Sequence, residues 1–287
     1  MARFPFRILN VFAESPISGN ALAVFEDGTG LSDEQMQALA LQFNLSETTF
    51  LFPSSTATAK VRIFSPGFEM PFAGHPTLGT AHVVRSLRDG RPDSLTLEMR
   101  AGVIPVSADG DTWTLQANAP VTRPAEATRE QLAAMLGIDE MDLRDGAMWV
   151  DTGSEQLIVR VTTPEAVRRC HPDAAAMARH GSNATRAGLC YVWAYEDVPP
   201  SEDGESVHSR FFFLKHGAVI EDPGTGSACA NLGGWLVTNR YELPLRVSIA
   251  QGELTGRPCK LGLRVDADKR IFVTGKVIEI GRGELTL

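Results

Sequence analysis

The chain has 287 residues, of which 43% are apolar and 22% charged, with 27 basic against 35 acidic side chains and a formal net charge of −8. This is ordinary globular composition, long enough for one large domain or two modest ones, and it excludes a disordered chain. The acidic balance argues against a nucleic-acid surface and for a small-molecule ligand, and no run approaches the ~18 apolar residues of a membrane span. The opening Met-Ala-Arg-Phe-Pro-Phe shows no apolar h-region, so no signal peptide is expected. Cys170, Cys190, Cys229 and Cys259 make no CxxC pair and no zinc spacing, which points to free thiols in a cytoplasmic protein.

Taken in order, residues 7–13 and 21–25 read as strands around the turn Ser15-Pro16-Ile17-Ser18-Gly19-Asn20. Ser32 with Gln35 forms a capping box, and Met36, Leu39, Ala40 and Phe43 share one face of a helix over 33–43 that Asn44 can end in a left-handed conformation. Residues 45–52 and 60–65 are β-branched and aromatic strands. A strand-rich meander follows over 95–100, 103–107 and 112–117, with Asp109-Gly110-Asp111 as a hairpin turn.

Residues 120–124 read as a linker, after which Thr128 and Gln131 cap a helix that Gly137 terminates. Strands are expected over 148–150, 156–161 and 188–195, a helix over 173–180, a surface loop over 198–205 and about three strands at the end. Two remaining helices are short of polar residues all round, and a helix without a polar face is a buried one. One starts within Pro71-Phe72-Ala73-Gly74-His75-Pro76-Thr77-Leu78-Gly79, and the other, over 225–240, starts within Asp222-Pro223-Gly224-Thr225-Gly226-Ser227-Ala228. A similar strand start precedes each, Val61-Arg62-Ile63-Phe64 and Ser209-Arg210-Phe211-Phe212-Phe213. Such internal similarity predicts an α+β chain in which strands curl round a buried helix, twice.

Most of the candidate residues lie on these two turns. Glu47 heads a β run, where an unpaired carboxylate is costly; pairing with Arg62 is the bland explanation and general acid/base work the sharper one. Pro76 suits a first helical turn, so the N–H groups of Gly74 and His75 are available to an anion, and the helix dipole favours a neutral His75. Asp222 is either an N-cap or a site carboxylate. Gly224-Thr225-Gly226 lacks the third glycine of a dinucleotide loop, no P-loop is present, and His75 and His82 lie too far apart for HExxH, so neither cofactor nor metal is expected.

With Ser46-Glu47-Thr48-Thr49-Phe50 and the two Gly turns in this order, the chain resembles the PhzF-like phenazine-biosynthesis family and the broader diaminopimelate-epimerase-like fold. The resemblance runs from the Gly19-Asn20 turn to the last strands. It implies two similar domains, each a mixed β-barrel about a central helix, over 1–120 (completed by 279–287) and 121–278, with the active site in the cleft between them. It also implies a homodimer and a cofactor-free isomerase acting on a small carboxylate, such as trans-2,3-dihydro-3-hydroxyanthranilate. Carried over residue by residue, Glu47 is the general acid/base, His75 and Asp222 are catalytic partners, and Asn20, Gly74, Gly226 and Ser227 bind substrate, with Gly153 and Ser154 as weaker candidates. Epimerases of this fold use a cysteine from each Gly turn, and here Ala73 and Pro223 stand there instead, which disfavours an epimerase or racemase. A metabolite-binding protein without activity is the other alternative.

Overall fold

The computed structural model describes residues 1–287 and divides into two compact units, Met1–Gln116 with Thr274–Leu287, and Ala117–Val273. Unit 1 contains strands β1 (Arg3–Val11), β2 (Asn20–Phe25), β3 (Glu47–Phe52), β4 (Ala59–Phe64), β5 (Glu69–Met70), β6 (Ser94–Met99), β7 (Gly102–Asp109) and β8 (Thr112–Gln116), with helices α1 (Asp33–Phe43) and α2 (Gly74–Ser86). Unit 2 contains β9 (Val121–Pro124), β10 (Met148–Asp151), β11 (Gln156–Arg160), β12 (Cys190–Tyr195), β13 (Glu205–Lys215), β14 (Ala218–Asp222), β15 (Leu245–Gln251) and β16 (Cys259–Val265). Its helices are α3 (Arg129–Leu136), α4 (Pro164–Arg169), α5 (Ala174–His180) and α6 (Gly226–Thr238). The last strand, β17 (Ile271–Thr286), begins in unit 2 and continues in unit 1 from Thr274.

Unit 1 is a closed barrel. Its strands pair in the ring β1, β2, β3, β4, β6, β7, β8, β17 and back to β1, with β2·β3 and β4·β6 parallel. Helix α2 lies against β1, β2, β3, β4, β6 and β8, and Gly74 to Ala81 are buried without a break. Small residues make that possible: a Cβ on Gly79 would come within 2.5 Å of Leu22 Cδ2. Outside the barrel α1 covers β3 and β4 through Met36, Leu39 and Ala40, over a cluster with Phe4, Phe25, Phe50 and Phe64. Its Ser32–Gln35 capping box and left-handed Asn44, at φ 50°, form as the sequence predicts.

Unit 2 repeats the plan. The succession β9·β10 and β10·β11 antiparallel, β11·β12 parallel, β12·β13 antiparallel, β13·β15 parallel and β15·β16 antiparallel matches β17·β1, β1·β2, β2·β3, β3·β4, β4·β6 and β6·β7 pair for pair. Here α6 takes the inner position against β9, β10, β11 and β16, while α3, α4 and α5 cover an outer core that includes Leu136, Trp149, Val159, Met177 and Phe212. The α+β architecture expected from the sequence, two similar barrels each wrapped round a helix, is the one observed.

Two local readings are corrected. Residues 120–124 are not a linker, since Val121–Asp151 through Pro124–Met148 pair as a ladder, with Pro124 at the strand end where its missing N–H costs least. Helix α4 was not expected; Thr163 caps it by accepting from Ala166 N, and Pro164 opens it, which is a complete N-terminal signature compressed into six helical residues.

Candidate functional site

Four helices, α1, α3, α4 and α5, have their first turn closed by a Ser, Thr or Asp side chain. The two inner helices do not: Ala73 has no side chain to offer α2, and Thr225, though of a capping type, makes no capping bond to α6. The first-turn N–H groups of Gly74 and His75, and of Gly226 and Ser227, are therefore left at the positive ends of two buried helices. Helix starts also correct one equivalence. Ala73 corresponds to Thr225 rather than to Pro223, because both immediately precede the first helical glycine; neither position holds a cysteine.

In unit 1 the structure brings Asn20, Glu47, Gly74 and His75 together. Strand β2 starts at Asn20 and β3 at Glu47, and the parallel pairing of Leu22 with Glu47 sets both strand starts at one end of the barrel, beside the first turn of α2. His75 is 5% exposed, and its Nε2 lies 3.3 Å from Oε2 of the half-buried Glu47. On the other side of the ring, Asn20 Nδ2 lies 3.4 Å from Nδ1, and Ser46 Oγ donates to Asn20 Oδ1 at 3.1 Å. Burial pushes the His75 pKa down to about 3, against an opposing contact with the Ala21 backbone. His75 is neutral at pH 7, so its contact with Glu47 is between a carboxyl group and an uncharged imidazole, not an ion pair. Arg62 does not serve Glu47: its guanidinium is bound to both oxygens of Glu69, each at 2.8 Å, and to Asp33 at 2.6 Å.

In unit 2 the corresponding group is Asp222, Gly226 and Ser227. Asp222 ends β14, but it is no N-cap; its Oδ2 accepts from Thr225 Oγ1 at 2.5 Å. The direction of that bond is set by Gln251, which is 1% exposed. Gln251 Oε1 accepts from Thr225 N at 3.3 Å, while Nε2 donates to the Asp222 carbonyl at 2.9 Å and to Thr225 Oγ1 at 3.0 Å. With its oxygen already receiving a proton from Gln251, the Thr225 hydroxyl turns its own toward the Asp222 carboxylate. Ser227 Oγ accepts from Gln156 Nε2 at 2.9 Å. Ser154 enters only through its carbonyl, which accepts from Asn231 Nδ2 at 2.8 Å, and Gly153 is exposed.

Ser46, Gln156, Thr225, Asn231 and Gln251 were not singled out from the sequence. One signal was available for Gln156. His75 and Ser227 both occupy the second helical position, and each is met by the amide of the first residue of a strand, Asn20 of β2 or Gln156 of β11. Chemistry that needs a thiolate has little to draw on. All four cysteines are buried, and desolvation pushes Cys170 up to about 12 and the other three further still. No group of three or more His, Cys, Asp or Glu side chains is placed to hold a metal ion, and no helix is long and apolar enough to cross a membrane.

Comparison with known proteins gives this geometry a family. The family model described as phenazine biosynthesis-like protein matches residues 9–283. An uncharacterized isomerase of Pasteurella multocida is 39% identical over 98% of this chain and 94% of its own length. The trans-2,3-dihydro-3-hydroxyanthranilate isomerase of Pseudomonas aeruginosa is 33% identical over 90% of this chain and 89% of its own. Among solved structures, the Bacillus anthracis phenazine biosynthesis protein of the PhzF family superposes with a TM-score of 0.86 over the whole of both chains at 24% identity, a likeness of fold. The chain therefore belongs to the phenazine biosynthesis-like protein family, and it is an isomerase of that family.

Proposed function

We propose that this isomerase works without a cofactor, moving a proton, and with it a double bond, within a small carboxylated substrate. The observation that carries the reading is the placement of Glu47 Oε2 3.3 Å from Nε2 of a buried, neutral His75 at an uncapped helix start. A 1,3-type proton shift needs one group that removes a proton from carbon and returns it to another, and a carboxyl group held in partly apolar surroundings can do both. Glu47 is assigned that role. Neutral His75 positions the carboxyl group, and the N–H groups of Gly74 and His75 stabilise negative charge that develops on a substrate oxygen. Asn20 holds the imidazole from its far side.

In unit 2 we assign Asp222 to a substrate amine or hydroxyl, and Gly226 and Ser227 to an oxygen anion, by the parallel between the two helix starts. The substrate of the Pseudomonas aeruginosa relative, trans-2,3-dihydro-3-hydroxyanthranilate, has the required carboxylate and movable double bond. The test is incubation with that compound in D₂O, comparing wild type with Glu47→Gln. Conversion by wild type with deuterium on ring carbon, and a loss of at least ~100-fold in the variant, is the expected result. Near-normal turnover by Glu47→Gln removes Glu47 from the chemistry. Binding without conversion or exchange would favour the alternative of a metabolite-binding protein. The family resemblance favours a homodimer, which light scattering on the purified chain checks directly.

A further inference from the structure

A buried run of amide side chains in unit 2 has a single consistent order of donors and acceptors. The Thr152 backbone N–H can only donate, and it does so to Asn231 Oδ1 at 2.9 Å, where the Thr152 hydroxyl also donates at 2.7 Å. Oδ1 is thereby the acceptor end of Asn231. Its Nδ2 is left for the Ser154 carbonyl, which can only accept, and for Gln156 Oε1, each at 2.8 Å. With Oε1 held on Asn231, Gln156 must present Nε2 to Ser227 Oγ, 2.9 Å away. Reversing either amide would set two donors or two acceptors face to face, in a place where Asn231 is 0% and Gln156 1% exposed. Backbone groups at one end thus dictate which atom of Gln156 Ser227 meets at the other.

We infer that Gln156 and Asn231 are positioning residues that make the Ser227 hydroxyl a one-way donor. Gln156 Nε2–H occupies one lone pair of its oxygen and leaves nothing on that side to accept its proton, so the proton is offered to a group outside the network, and the acceptor it suits is an oxygen anion such as a carboxylate. The inference rests on the assignment of Ser227 to substrate above. It is not a by-product of the repeated fold. Counted from the first helical residue, the position of Asn231 in α6 is that of Gly79 in α2, where even a Cβ would stand 2.5 Å from Leu22 Cδ2. Unit 1 has no room for the amide, and there the strand-start residue Asn20 meets an imidazole instead of a hydroxyl.

The test reads binding, not turnover, with anthranilate as the carboxylate probe in titration calorimetry at about pH 8. Gln156→Glu keeps the shape but presents only acceptor oxygens, so Ser227 turns its proton inward. Gln156→Met removes the bond and leaves the hydroxyl able to rotate toward a ligand. Expected is a weakening of about tenfold or more for Gln156→Glu and for Ser227→Ala, and of no more than about threefold for Gln156→Met. In the Ser227→Ala background the further change Gln156→Glu should weaken binding little more. A purely structural role for Gln156 would make the Met variant at least as damaging as Glu, and that order overturns the inference. So does a Gln156→Glu effect that persists without the Ser227 hydroxyl, wild-type binding by Ser227→Ala, or no anthranilate binding by wild type at millimolar concentration. Should Gln156→Glu fail to fold, as thermal unfolding would reveal, Ser227→Ala and Gln156→Met still decide. A wrong assignment of Glu47 would appear in the isomerase assay and leave these affinities unchanged.

Discussion

His75 Nε2 and Glu47 Oε2 are 3.3 Å apart, yet burial keeps the imidazole uncharged, with its pKa pushed down to about 3. The two residues therefore form a polar couple and not an ion pair, and the distinction has consequences for pH. Activity should show no histidine ionisation from His75 between about pH 6 and 8, because the ring is already neutral across that range.

Stability should carry the signature of His75 at lower pH. The unfolded ring titrates near ~6.5, the folded one about 3. Between those values the unfolded chain binds the extra proton, so stability rises with pH there; the contribution is whole above ~6.5 and is lost as pH falls toward 3. Wild type should lose up to ~1.4 kcal/mol per pH unit more than His75→Gln over this window, measured as the difference between their denaturant midpoints from about pH 6.5 to 4.5. Parallel curves for the two proteins would show that the ring is not held neutral by the fold.

Thiol reagents should leave the enzyme active. Cys229 lies inside α6 at 0% exposure, and all four thiols are held in their protonated form well above neutral pH by burial. Iodoacetamide reacts with thiolates, so incubation at about pH 7.5 should cause little inactivation while the protein stays folded, and rapid labelling only in denaturant. Fast inactivation of the native protein, protected by substrate, would revive cysteine chemistry of the epimerase kind.

Much of the fold was legible because its signals are local. Ser32 with Gln35, Thr128 with Gln131, and Asn44 and Gly137 at helix ends each act through bonds a few residues long, and all four appear as expected. Glu47, His75 and Asp222 stand out in the sequence as candidates, and they lie at the start of β3, in the first turn of α2 and at the end of β14. What escaped was non-local. Gln156 reaches Ser227 across 71 positions and Asn231 reaches Ser154 across 77, and nothing near any of them in sequence marks the pairing. The strand Val121–Pro124 was misread for a related reason. Pro120 just before it and Pro124 at its end suggest a connection, and only its partner β10 gives it ladder bonds.

The repeat leaves one more mark that can be tested, an arginine on each of two matching strands. Arg62 on β4 grips Glu69 of β5 and lies over the Phe64 ring, 5.1 Å from its centroid; Arg210 on β13 grips Glu221 of β14 and lies over Phe212 at 4.6 Å. The register is shared as well, for Phe64 faces Glu69 and Phe212 faces Glu221. The third nitrogen separates them. In Arg62 it binds Asp33, a carboxylate whose side chain is 74% exposed; in Arg210 it binds the carbonyls of Val167, Arg168 and Cys170 at the C-terminal end of α4. Removing Arg210 thus strands a carboxylate and the carbonyls of Arg168 and Cys170, while Val167 keeps the bond from Cys170 N; at Asp33 water can take over. Arg210→Ala should cost on the order of 3–5 kcal/mol and Arg62→Ala distinctly less, by urea unfolding. Arg210→Lys should recover only a minor part, because an ammonium cannot hold both carboxylate oxygens and the carbonyls in one plane. Equal losses at the two arginines, or full recovery by lysine, would mean that the fork to α4 contributes nothing and that only the charge matters.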